Sequence, residues 1–296
     1  MPHRPDVVII VNPIAGGGRG QKDAEEVERL LAAGGRSVER VLTNASGDAE
    51  RAALGAAKSG ANTVLVFGGD GTINEAAQGL AGSDTALAVL PLGTANVLAH
   101  ELGLGYGPRR AAELVLRGRR RRLDLGRAAG RYFVCMASTG FDAYVTENMA
   151  KWRRGAISYL SYVGPTLKAL WRYPYTPLRV RVDGAPMRRP AYHVIVGNVR
   201  NYGGPFTMTP NARPDDGLLD VVAFESGGPA MLGLYMAATT VHLHPRLRTV
   251  EMLRGRRIEV EAGEPVPVQT DGDFRGYSPA CFEIASERIT VLEDRR

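Results

Sequence analysis

The sequence constrains the fold most through the alternation of short β-branched runs with helical stretches over its first 120 or so residues. "DVVIIV" (6–11) is typical of a buried strand, apolar residues between Ala24 and Leu31 recur at helical spacing, and "SVERVL" (37–42) alternates as a strand does. The alternation continues through a helix from about Asp48 to Lys58, a strand at 62–67, a helix from Thr72, a strand at 87–92 and a helix from about Ala95. Strands that alternate with helices predict a parallel sheet covered on both faces.

The pattern changes near residue 121, after which short strands follow one another with turns between them. The strand-like stretches are "RYFVCMAS", "PLRVRVDGAPMRRPAYHVIVGN", "GLLDVVAFES", "RTVEML", "RRIEVEAG" and "ERITVLE". "VDGAP" (182–186) is typical of a hairpin tip, and helical periodicity interrupts the strands near 155–172 and 228–239. This half of the chain is therefore predicted to be mainly antiparallel β, with the domain junction near Asp124.

Composition narrows the class of protein. The chain has 296 residues, 44% of them hydrophobic, which is enough for a sizeable core and two domains. Cys135 and Cys281 lie far apart without metal-like spacing, so they predict neither a disulfide framework nor a zinc site. This suits a reducing cytoplasm. No signal peptide and no apolar stretch of about 18 residues is evident, so we expect a cytoplasmic protein that does not span a membrane.

The net charge is a weaker guide to the kind of partner that the protein binds. The formal net charge of +6 and the pI of about 9.5 favour a polyanionic partner, whether nucleic acid, an anionic lipid surface or a phosphate-rich substrate. The densest basic cluster is Arg117 with Arg119–Arg122. A solvated face explains such a run as well as a binding surface does.

The first of three glycine-bearing loops is "VNPIAGGGRG" (11–20). It lies between a predicted strand and a predicted helix, where backbone amides and the helix dipole can receive an anion. It lacks the lysine and hydroxyl pair of a Walker A loop and the spacing of GxGxxG. Taken alone, a flexible turn explains it equally well.

The second loop, within "VFGGDGTINEA" (66–76), carries a stronger signal. Gly68 and Gly69 permit close backbone approach after the strand. Asp70 supplies a carboxylate at the C-terminal edge of the sheet, and Thr72 can cap the following helix or bind phosphate. A turn aspartate beside a capping threonine is the alternative interpretation.

The third loop lies within "LPLGTANVLAHELG" (90–103) and brings Gly93, Thr94 and Asn96 to the end of the next strand. Ligands of open α/β sheets gather at the carboxyl ends of the strands. The three loops together are therefore predicted to form one phosphate cradle, and as a set they are far more specific than any one of them.

A resemblance to a known family follows from the order of the motifs. "NPIAG", "GGDGTINE", "PLGTAN", "RLDLG", "STGFDA", "GNVRNYGG", "PNARPDDGLLDV" and "TDGD" occur in sequence over nearly the whole chain. The set resembles the diacylglycerol kinase catalytic domain family, which includes bacterial soluble lipid kinases, ceramide kinases and sphingosine kinases. GGDGT alone is shared with NAD kinases and phosphofructokinases.

The resemblance implies an N-terminal α/β nucleotide-binding domain with a parallel sheet and a C-terminal, mainly antiparallel β-sandwich. The expected boundaries are 1–124 for the ATP-binding domain, completed by 285–296, and 125–284 for the lipid-acceptor domain. ATP and the acceptor lipid would bind in the cleft between the two.

The resemblance also implies a set of site residues. Those similar to ATP-contacting positions are Asn12, Pro13, Ile14, Ala15, Gly16, Thr43, Gly69, Asp70, Gly71, Thr72, Ile73, Asn74, Glu75 and Thr94. Asp70 matches the aspartate that organises the catalytic Mg²⁺ through water. Phosphoryl transfer needs charge neutralisation and alignment, which such a carboxylate and amide-rich loops provide.

A second, structural Mg²⁺ is implied at "RPDDGLLD". Asp216 resembles its ligand, with the carbonyl groups of Arg213 and Leu218 completing the site, and a hard cation suits oxygen ligands. By composition alone, an Asp-Asp-Gly turn that begins a strand is the simpler interpretation.

The general base is implied in "QTDGDFRG" (269–276), where the acidic residue after "DG" would accept the proton of the lipid hydroxyl. We expect glutamate there in most members, whereas this chain has Asp273, and Asp271 is a competing candidate. Val97 stands where many bacterial diacylglycerol kinases have aspartate, which leaves other lipid alcohols open. Asp124 matches an acidic position that could join the Mg²⁺ network or an interdomain hydrogen bond.

The stretch 151–174 mixes Trp152, Tyr159, Leu160 and Trp171 with basic residues, which is compatible with an interfacial helix or with a core stripe. The leading prediction is an ATP- and Mg²⁺-dependent lipid kinase that contacts membrane peripherally. A NAD kinase and a catalytically inactive, nucleotide-responsive membrane-binding protein are the alternatives. No nucleic-acid recognition motif is evident, and a homodimer is compatible with the sequence.

Overall fold

The computed structural model describes residues 4–152, 164, 166, 169–203 and 206–295. The chain divides into two compact units, of which the first comprises Met1–Leu125 with Ser286–Arg296 and the second Gly126–Ala285. The first unit is α/β with a parallel sheet and the second is an antiparallel β-sandwich, so the predicted fold class is confirmed.

The first unit alternates strands and helices. Its elements are β1 (Val7–Val11), α1 (Gly20–Ala33), β2 (Val38–Leu42), α2 (Asp48–Ser59), β3 (Thr63–Gly68), α3 (Asp70–Leu80), β4 (Ala86–Pro91), α4 (Val97–Leu102), α5 (Pro108–Arg117) and the first part of β5 (Arg119–Ala128). The parallel order is β2-β1-β3-β4, and the end of β18 (Ala280–Glu293) runs parallel to β4.

Burial explains why these segments form this sheet. β1, β3 and β4 are buried at every position, as expected of mainly apolar strands covered on both faces, whereas the outer strand β2 is partly exposed. Helix α1 buries Gly20, Ala24, Val27 and Leu31, which share one face at helical spacing.

The second unit is built mainly from short antiparallel strands. Its elements are the end of β5, β6 (Arg131–Phe133), β7 (Met136–Thr139), α6 (Phe141–Trp152), β8 (Leu178–Val182), β9 (Ala185–Pro186), β10 (His193–Gly197), β11 (Asn201–Tyr202), β12 (Phe206–Thr207), β13 (Leu219–Phe224), α7 (Pro229–Thr240), β14 (Val250–Gly255), β15 (Arg257–Ala262), β16 (Pro267–Thr270), β17 (Asp273–Tyr277) and the start of β18. One sheet has the order β14-β13-β10-β7-β16-β17. In the other, β15 pairs with β8 and with the start of β18. A core containing Val194, Val260 and Phe282 draws on both sheets.

Several predicted elements differ from the structure in detail. Helix α3 begins at Asp70 rather than Thr72, and α4 begins at Val97 rather than Ala95. The helix predicted near 228–239 is present as α7, and Asp183 and Gly184 form the predicted hairpin tip with φ of 50° and 82°. Helices α5 and α6 were not predicted. Most of the predicted interfacial stretch 151–174 lies outside the described residues.

None of the helices that the structure describes combines the length and the apolar character needed to cross a bilayer.

Candidate active site

Asn12 joins the loop after β1 to the start of α3. Its Nδ2 donates to Thr72 Oγ1 at 3.2 Å, and its Oδ1 accepts the Ile14 N–H at 3.2 Å. The predicted capping role of Thr72 is wrong, because the N-cap position is Gly69 and α3 has already begun at Asp70. Instead, the Thr72 hydroxyl accepts the hydrogen bond from Asn12, which links the second loop to the first.

Asp70 joins the start of α3 to the start of α4. Its carboxylate accepts the N–H groups of Asn96 at 2.8 Å and Val97 at 2.7 Å, so it caps α4 from another segment of the chain. Asn96 in turn bonds both backbone groups of Gly93 at 2.9 Å. The third loop is therefore folded upon itself and fixed to the second.

Glycine is needed where these loops touch. A Cβ atom on Gly93 would lie 2.6 Å from the Cα of Gly69, and one on Gly16 would lie 3.3 Å from the Leu92 side chain. A side chain at Gly93 would force the two loops apart. The three glycine-bearing loops thus lie together at the carboxyl ends of β1, β3 and β4.

The helices that follow these loops offer backbone donors. Helices α1 and α3 have no side-chain cap at the N-terminus: Arg19 makes no capping hydrogen bond to α1, and the N-cap residue of α3 is Gly69, which has no side chain. Ahead of α1, Gly16, Gly17 and Gly18 have φ of 60°, 69° and 86° in succession. Successive amides in turn conformations and the starts of helices are the features that bind phosphate in other folds.

The electrostatic setting of Asp70 is unusual for a surface aspartate. Burial raises the pKa of its carboxyl above the ordinary value of 3.8, while the hydrogen bonds from Val97 and Asn96 act in the opposite direction. A nearby cation would favour the ionised form and lower this pKa.

The other residues predicted to contact ATP lie outside the hydrogen bonds that join the three loops. Thr43 follows β2, and its N–H donates to Val11 O at 2.9 Å. Glu75 accepts the Ser46 hydroxyl at 3.0 Å. Ile73 and Asn74 are only 2% and 3% exposed, so their side chains pack inside the unit rather than at its surface. The remaining positions in the first and third loops are Pro13, Ala15 and Thr94.

The basic cluster of β5 is engaged in ion pairs. Arg119 and Arg121 both contact Glu293, and Arg122 contacts Asp84 at 3.0 Å. These contacts favour a surface role for the cluster over a polyanion site. Similarly, Asp124 is 2% exposed and pairs with Arg288 of the same unit at 2.7 Å.

In the second unit, Asp271 and Gly272 form the tight turn between β16 and β17, with φ of 47° and 84°. The Asp271 carboxylate accepts three consecutive backbone N–H groups, those of Val134, Cys135 and Met136, at 2.7–3.0 Å. The side chain therefore binds the hairpin to a neighbouring segment, which leaves it poorly placed for proton transfer.

A polar cluster that was not predicted supports the same hairpin. Gln269 donates to Asp142 Oδ2 and to the Ser138 hydroxyl, each at 3.0 Å, and its Oε1 accepts the Gly272 N–H at 2.8 Å. Tyr202 also donates to Asp142. Because a carboxylate only accepts, Asp142 fixes which end of the Gln269 amide faces the turn. The motifs "STGFDA" and "QTDGD" contained these residues, but nothing local to them indicated the pairing.

Asp273 is the first residue after this turn. Its side chain is 39% exposed and accepts a hydrogen bond from Arg275 at 3.1 Å. Between the two acidic candidates, Asp273 is thus the one whose carboxylate remains accessible.

The Asp216 carboxylate pairs with a neighbouring arginine. Asp216 accepts the Leu218 N–H at 3.1 Å and pairs with Arg254, which also bonds Asp220 at 3.1 Å. Among the described residues, no group of three or more His, Cys, Asp or Glu side chains could hold a metal ion. The Mg²⁺ site at Arg213, Asp216 and Leu218 therefore stays a prediction.

The chain combines an α/β unit whose glycine-bearing loops converge with an antiparallel β-sandwich. Residues 6–128 match the diacylglycerol kinase catalytic domain, and residues 135–293 match the YegS C-terminal NAD kinase beta sandwich-like domain. The chain belongs to the family of diacylglycerol kinases and YegS-like lipid kinases, and the predicted family is confirmed.

Individual relatives match over nearly their whole length. A diacylglycerol kinase of Mycobacterium tuberculosis (strain ATCC 25618 / H37Rv) is 32% identical over 98% of this chain and 95% of its own. One from Bacillus subtilis (strain 168) is 28% identical over 96% and 95%. The crystal structure of a putative diacylglycerol kinase from Bacillus anthracis str. Sterne superposes with a TM-score of 0.80 at 26% identity, covering 98% of this chain and 97% of that one.

Proposed function

We propose that this protein transfers the γ-phosphate of ATP to the hydroxyl of a lipid alcohol, such as a diacylglycerol or a sphingoid-like lipid, to give a lipid phosphate. Family membership supports the reaction class. The observation that carries the proposal is the bonding of Asn12 to Thr72 and of Asp70 to Asn96 and Val97, which holds three phosphate-type loops together.

The nucleotide phosphates would bind at the loops of residues 12–16, 69–72 and 93–94. Their amide donors would be those that the loops leave available, since Pro13 has no N–H and the N–H groups of Asn12, Ile14, Ala15 and Gly93 already donate within the unit. Asp70 suits a Mg²⁺ ion held through water, because its two amide bonds leave further lone pairs on a carboxylate that can accept about four. Proteins commonly bind Mg²⁺ with one or two carboxylates, water and substrate phosphates. When bound, the ion would neutralise charge that develops on the transferring phosphoryl group.

Asp273 would accept the proton of the lipid hydroxyl. Arg275 holds its carboxylate by a hydrogen bond, and the turn before it is fixed by Asp271 and Gln269. Rigid support matters because general-base catalysis requires the carboxylate within hydrogen-bond reach of the hydroxyl. An aspartate is one methylene shorter than the glutamate expected in most members, so the support must place it correctly.

The test is transfer from radiolabelled ATP to diacylglycerol, a sphingoid base, ceramide and NAD, with the lipids in mixed micelles and with or without Mg²⁺. We expect a phosphorylated lipid from the wild type with Mg²⁺ and none from Asp70→Asn. Asp6→Asn is the matched control, because Asp6 also accepts a backbone N–H, from Ser37 at 2.9 Å, but before β1 at the opposite edge of the sheet.

Absence of transfer to every lipid by a protein that still binds ATP would refute the proposal. Transfer to NAD alone would replace it with the NAD kinase alternative. Equal loss of activity in Asp6→Asn would show that the Asp70 variant acts by unfolding the first unit.

A further inference from the structure

Two buried polar side chains lie opposite each other in one sheet of the second unit. Ser138 of β7 pairs with Gln269 of β16 in the antiparallel register, so their side chains share one face of the sheet. They are 0% and 1% exposed. Asp142, the second residue of α6, contacts both of them. Because buried polar groups need hydrogen-bond partners, this pair depends on Asp142.

The hydrogen bonds of this group all lead toward Asp142. Ser138 donates its one hydroxyl proton to Asp142 Oδ2 at 2.6 Å. The two protons of the Gln269 amide go to Asp142 Oδ2 and to the Ser138 oxygen, each at 3.0 Å. The other carboxylate oxygen of Asp142 accepts the Tyr202 hydroxyl. The side-chain donors of Ser138 and Gln269 are thus fully used, and a carboxylate that only accepts sets the direction of every bond.

This direction decides which atom Gln269 presents to the turn between β16 and β17. With both amide protons engaged, its carbonyl oxygen faces the Gly272 N–H and accepts it at 2.8 Å. A rotated amide would set its NH₂ group against that N–H, and two donors cannot bond each other. Asp142 thereby fixes the backbone of Gly272, whose φ is 84°, immediately before Asp273.

The Asp273 side chain has a separate support. Arg275 donates to Asp273 Oδ2 at 3.1 Å and to the Thr270 hydroxyl at 2.9 Å. Thr270 is 0% exposed, so the arginine is itself bonded to a buried group. Arg275 therefore directs the carboxylate, whereas Gln269 holds the turn from which it extends.

We propose that Asp142 is a positioning residue for Asp273 and acts on it through the Gln269 amide. The inference rests on the proposed function, in which Asp273 accepts the proton of the lipid hydroxyl. Proton transfer requires the carboxylate within hydrogen-bond reach of that hydroxyl. A displacement of about 1 Å can cost about a hundredfold in rate. Loss of this support should therefore lower kcat and leave the KM for ATP unchanged.

The test exchanges the carboxylate and the amide between the two positions. Gln269→Glu sets a second carboxylate against Asp142 where the amide now donates at 3.0 Å, so we expect kcat to fall about a hundredfold. Asp142→Asn keeps an oxygen that can accept from Gln269, so its loss should be at most about fivefold. The double variant again sets a donor against an acceptor, and its kcat should return to within about tenfold of the wild type.

These constants are measured with ATP and a short-chain, monomeric form of the lipid that the wild type phosphorylates. Hydrogen exchange of the Gly272 amide, followed by NMR, reports the same support without catalysis. Exchange should be faster in Gln269→Glu than in the wild type and slow again in the double variant.

Glu147→Gln is the matched control, because it makes the same kind of change on the same helix. Glu147 bonds the other end of the hairpin, where it accepts the Tyr277 hydroxyl at 2.6 Å. An amide oxygen can still accept that hydroxyl, so neither kcat nor the exchange of Gly272 should change.

A double variant no more active than Gln269→Glu contradicts the proposal. So does a Gln269→Glu variant with a lower unfolding midpoint and an unchanged kcat, because the contact would then be structural only. An equal loss of kcat in Glu147→Gln would assign the effect to the packing of α6 instead. A wild type that phosphorylates no lipid refutes the proposed function, and recovery of slow Gly272 exchange in the double variant would then still decide for or against the role of Asp142.

Discussion

Asp70 in the first unit and Asp271 in the second each precede a glycine, and each accepts backbone N–H groups from a distant segment of the chain. Asp70 accepts two amides at the start of α4 and lies among the three glycine-bearing loops. Asp271 accepts three amides from residues 134–136 at the bend of a hairpin. The same two-letter motif thus occurs in two different structural settings.

The two aspartates differ in how much of the carboxylate is left to bind a ligand. Asp70 sits where burial raises its pKa and where it keeps lone pairs for a cation, so its structural role leaves a chemical one open. Asp271 accepts three amides with its two oxygens, and the more accessible carboxylate of this hairpin is two residues along, at Asp273. An aspartate before a glycine therefore does not reveal its role by sequence alone, and the hydrogen bonds that it accepts distinguish the two cases.

The largest expected effect is on the activity of Asp70→Asn. The amide keeps one acceptor oxygen but cannot hold a cation as a carboxylate does, so we expect kcat/KM toward the lipid to fall by about a thousandfold. The free energy of unfolding, measured in urea, should change by no more than about 1–2 kcal/mol. Loss of stability in proportion to the loss of activity would make Asp70 a purely structural residue like Asp271.

The pKa of Asp70 tests, without an activity assay, whether this carboxylate binds a cation or is purely structural. An NMR titration of its side-chain carboxyl should give a pKa above 3.8 in the protein alone, because burial penalises the ionised form. Addition of Mg²⁺ should lower that pKa. A value for Asp70 that Mg²⁺ leaves unchanged would speak against the cation site.

A smaller effect is expected from Asp271→Ala, and it should be on stability. Three amides lose their acceptor, which we expect to lower the free energy of unfolding by about 2–4 kcal/mol. The matched control is Asp183→Ala, because Asp183 occupies a similar Asp-Gly turn and accepts the amides of Arg256 and Arg257, but is exposed. Water can replace the Asp183 carboxylate as acceptor, so urea unfolding should show a smaller loss of stability for Asp183→Ala than for Asp271→Ala. Equal losses would show that the buried amides bound by Asp271 contribute no more than exposed ones.

Local sequence predicted the elements better than it predicted these hydrogen bonds. The buried strands and α2 follow from periodicity, and α5 had a usable signal in Pro108 at its start. The β-branched and aromatic residues of α6, such as Tyr144 and Val145, weaken its helical propensity. The partner of Asp271 is 135 or more residues away in sequence, so only the folded chain could identify it.

Gly93→Ala tests whether contact between the loops is needed to place Asp70. The added Cβ would lie 2.6 Å from the Cα of Gly69, so the loops must separate, at a cost of about 1–3 kcal/mol. ATP affinity, measured by calorimetry, should fall with it. Gly55→Ala in α2 is the control, because its Cβ meets nothing within 4 Å and the change should be neutral or slightly stabilising. An alanine at position 93 that preserves ATP affinity would show that the loops act independently.

The smallest effect on stability is expected from Arg254→Met. This variant extends the comparison to Asp216 and Asp220, whose carboxylates are bound by an arginine side chain. Burial raises the pKa of Asp220, and Arg254 opposes that rise, so removing the guanidinium should raise this pKa further. Above that pKa the folded state then carries an unpaired carboxylate, and we expect a loss of about 1–2 kcal/mol at neutral pH, since Arg254 itself is 40% exposed.

The sign of the pH dependence follows from protonation of Asp220. As pH falls through its raised pKa, the carboxyl becomes neutral, so the difference in stability between the variant and the wild type should shrink toward acid pH. Urea unfolding across this range measures it, and a difference that grows on acidification would assign the effect to another group. Recovery of the variant's stability by Mg²⁺, but not by an equal ionic strength of NaCl, would show that Asp216 and Asp220 accept a metal once the guanidinium has left. A variant indifferent to Mg²⁺ would mean that here the arginine is the cation these carboxylates are built to bind.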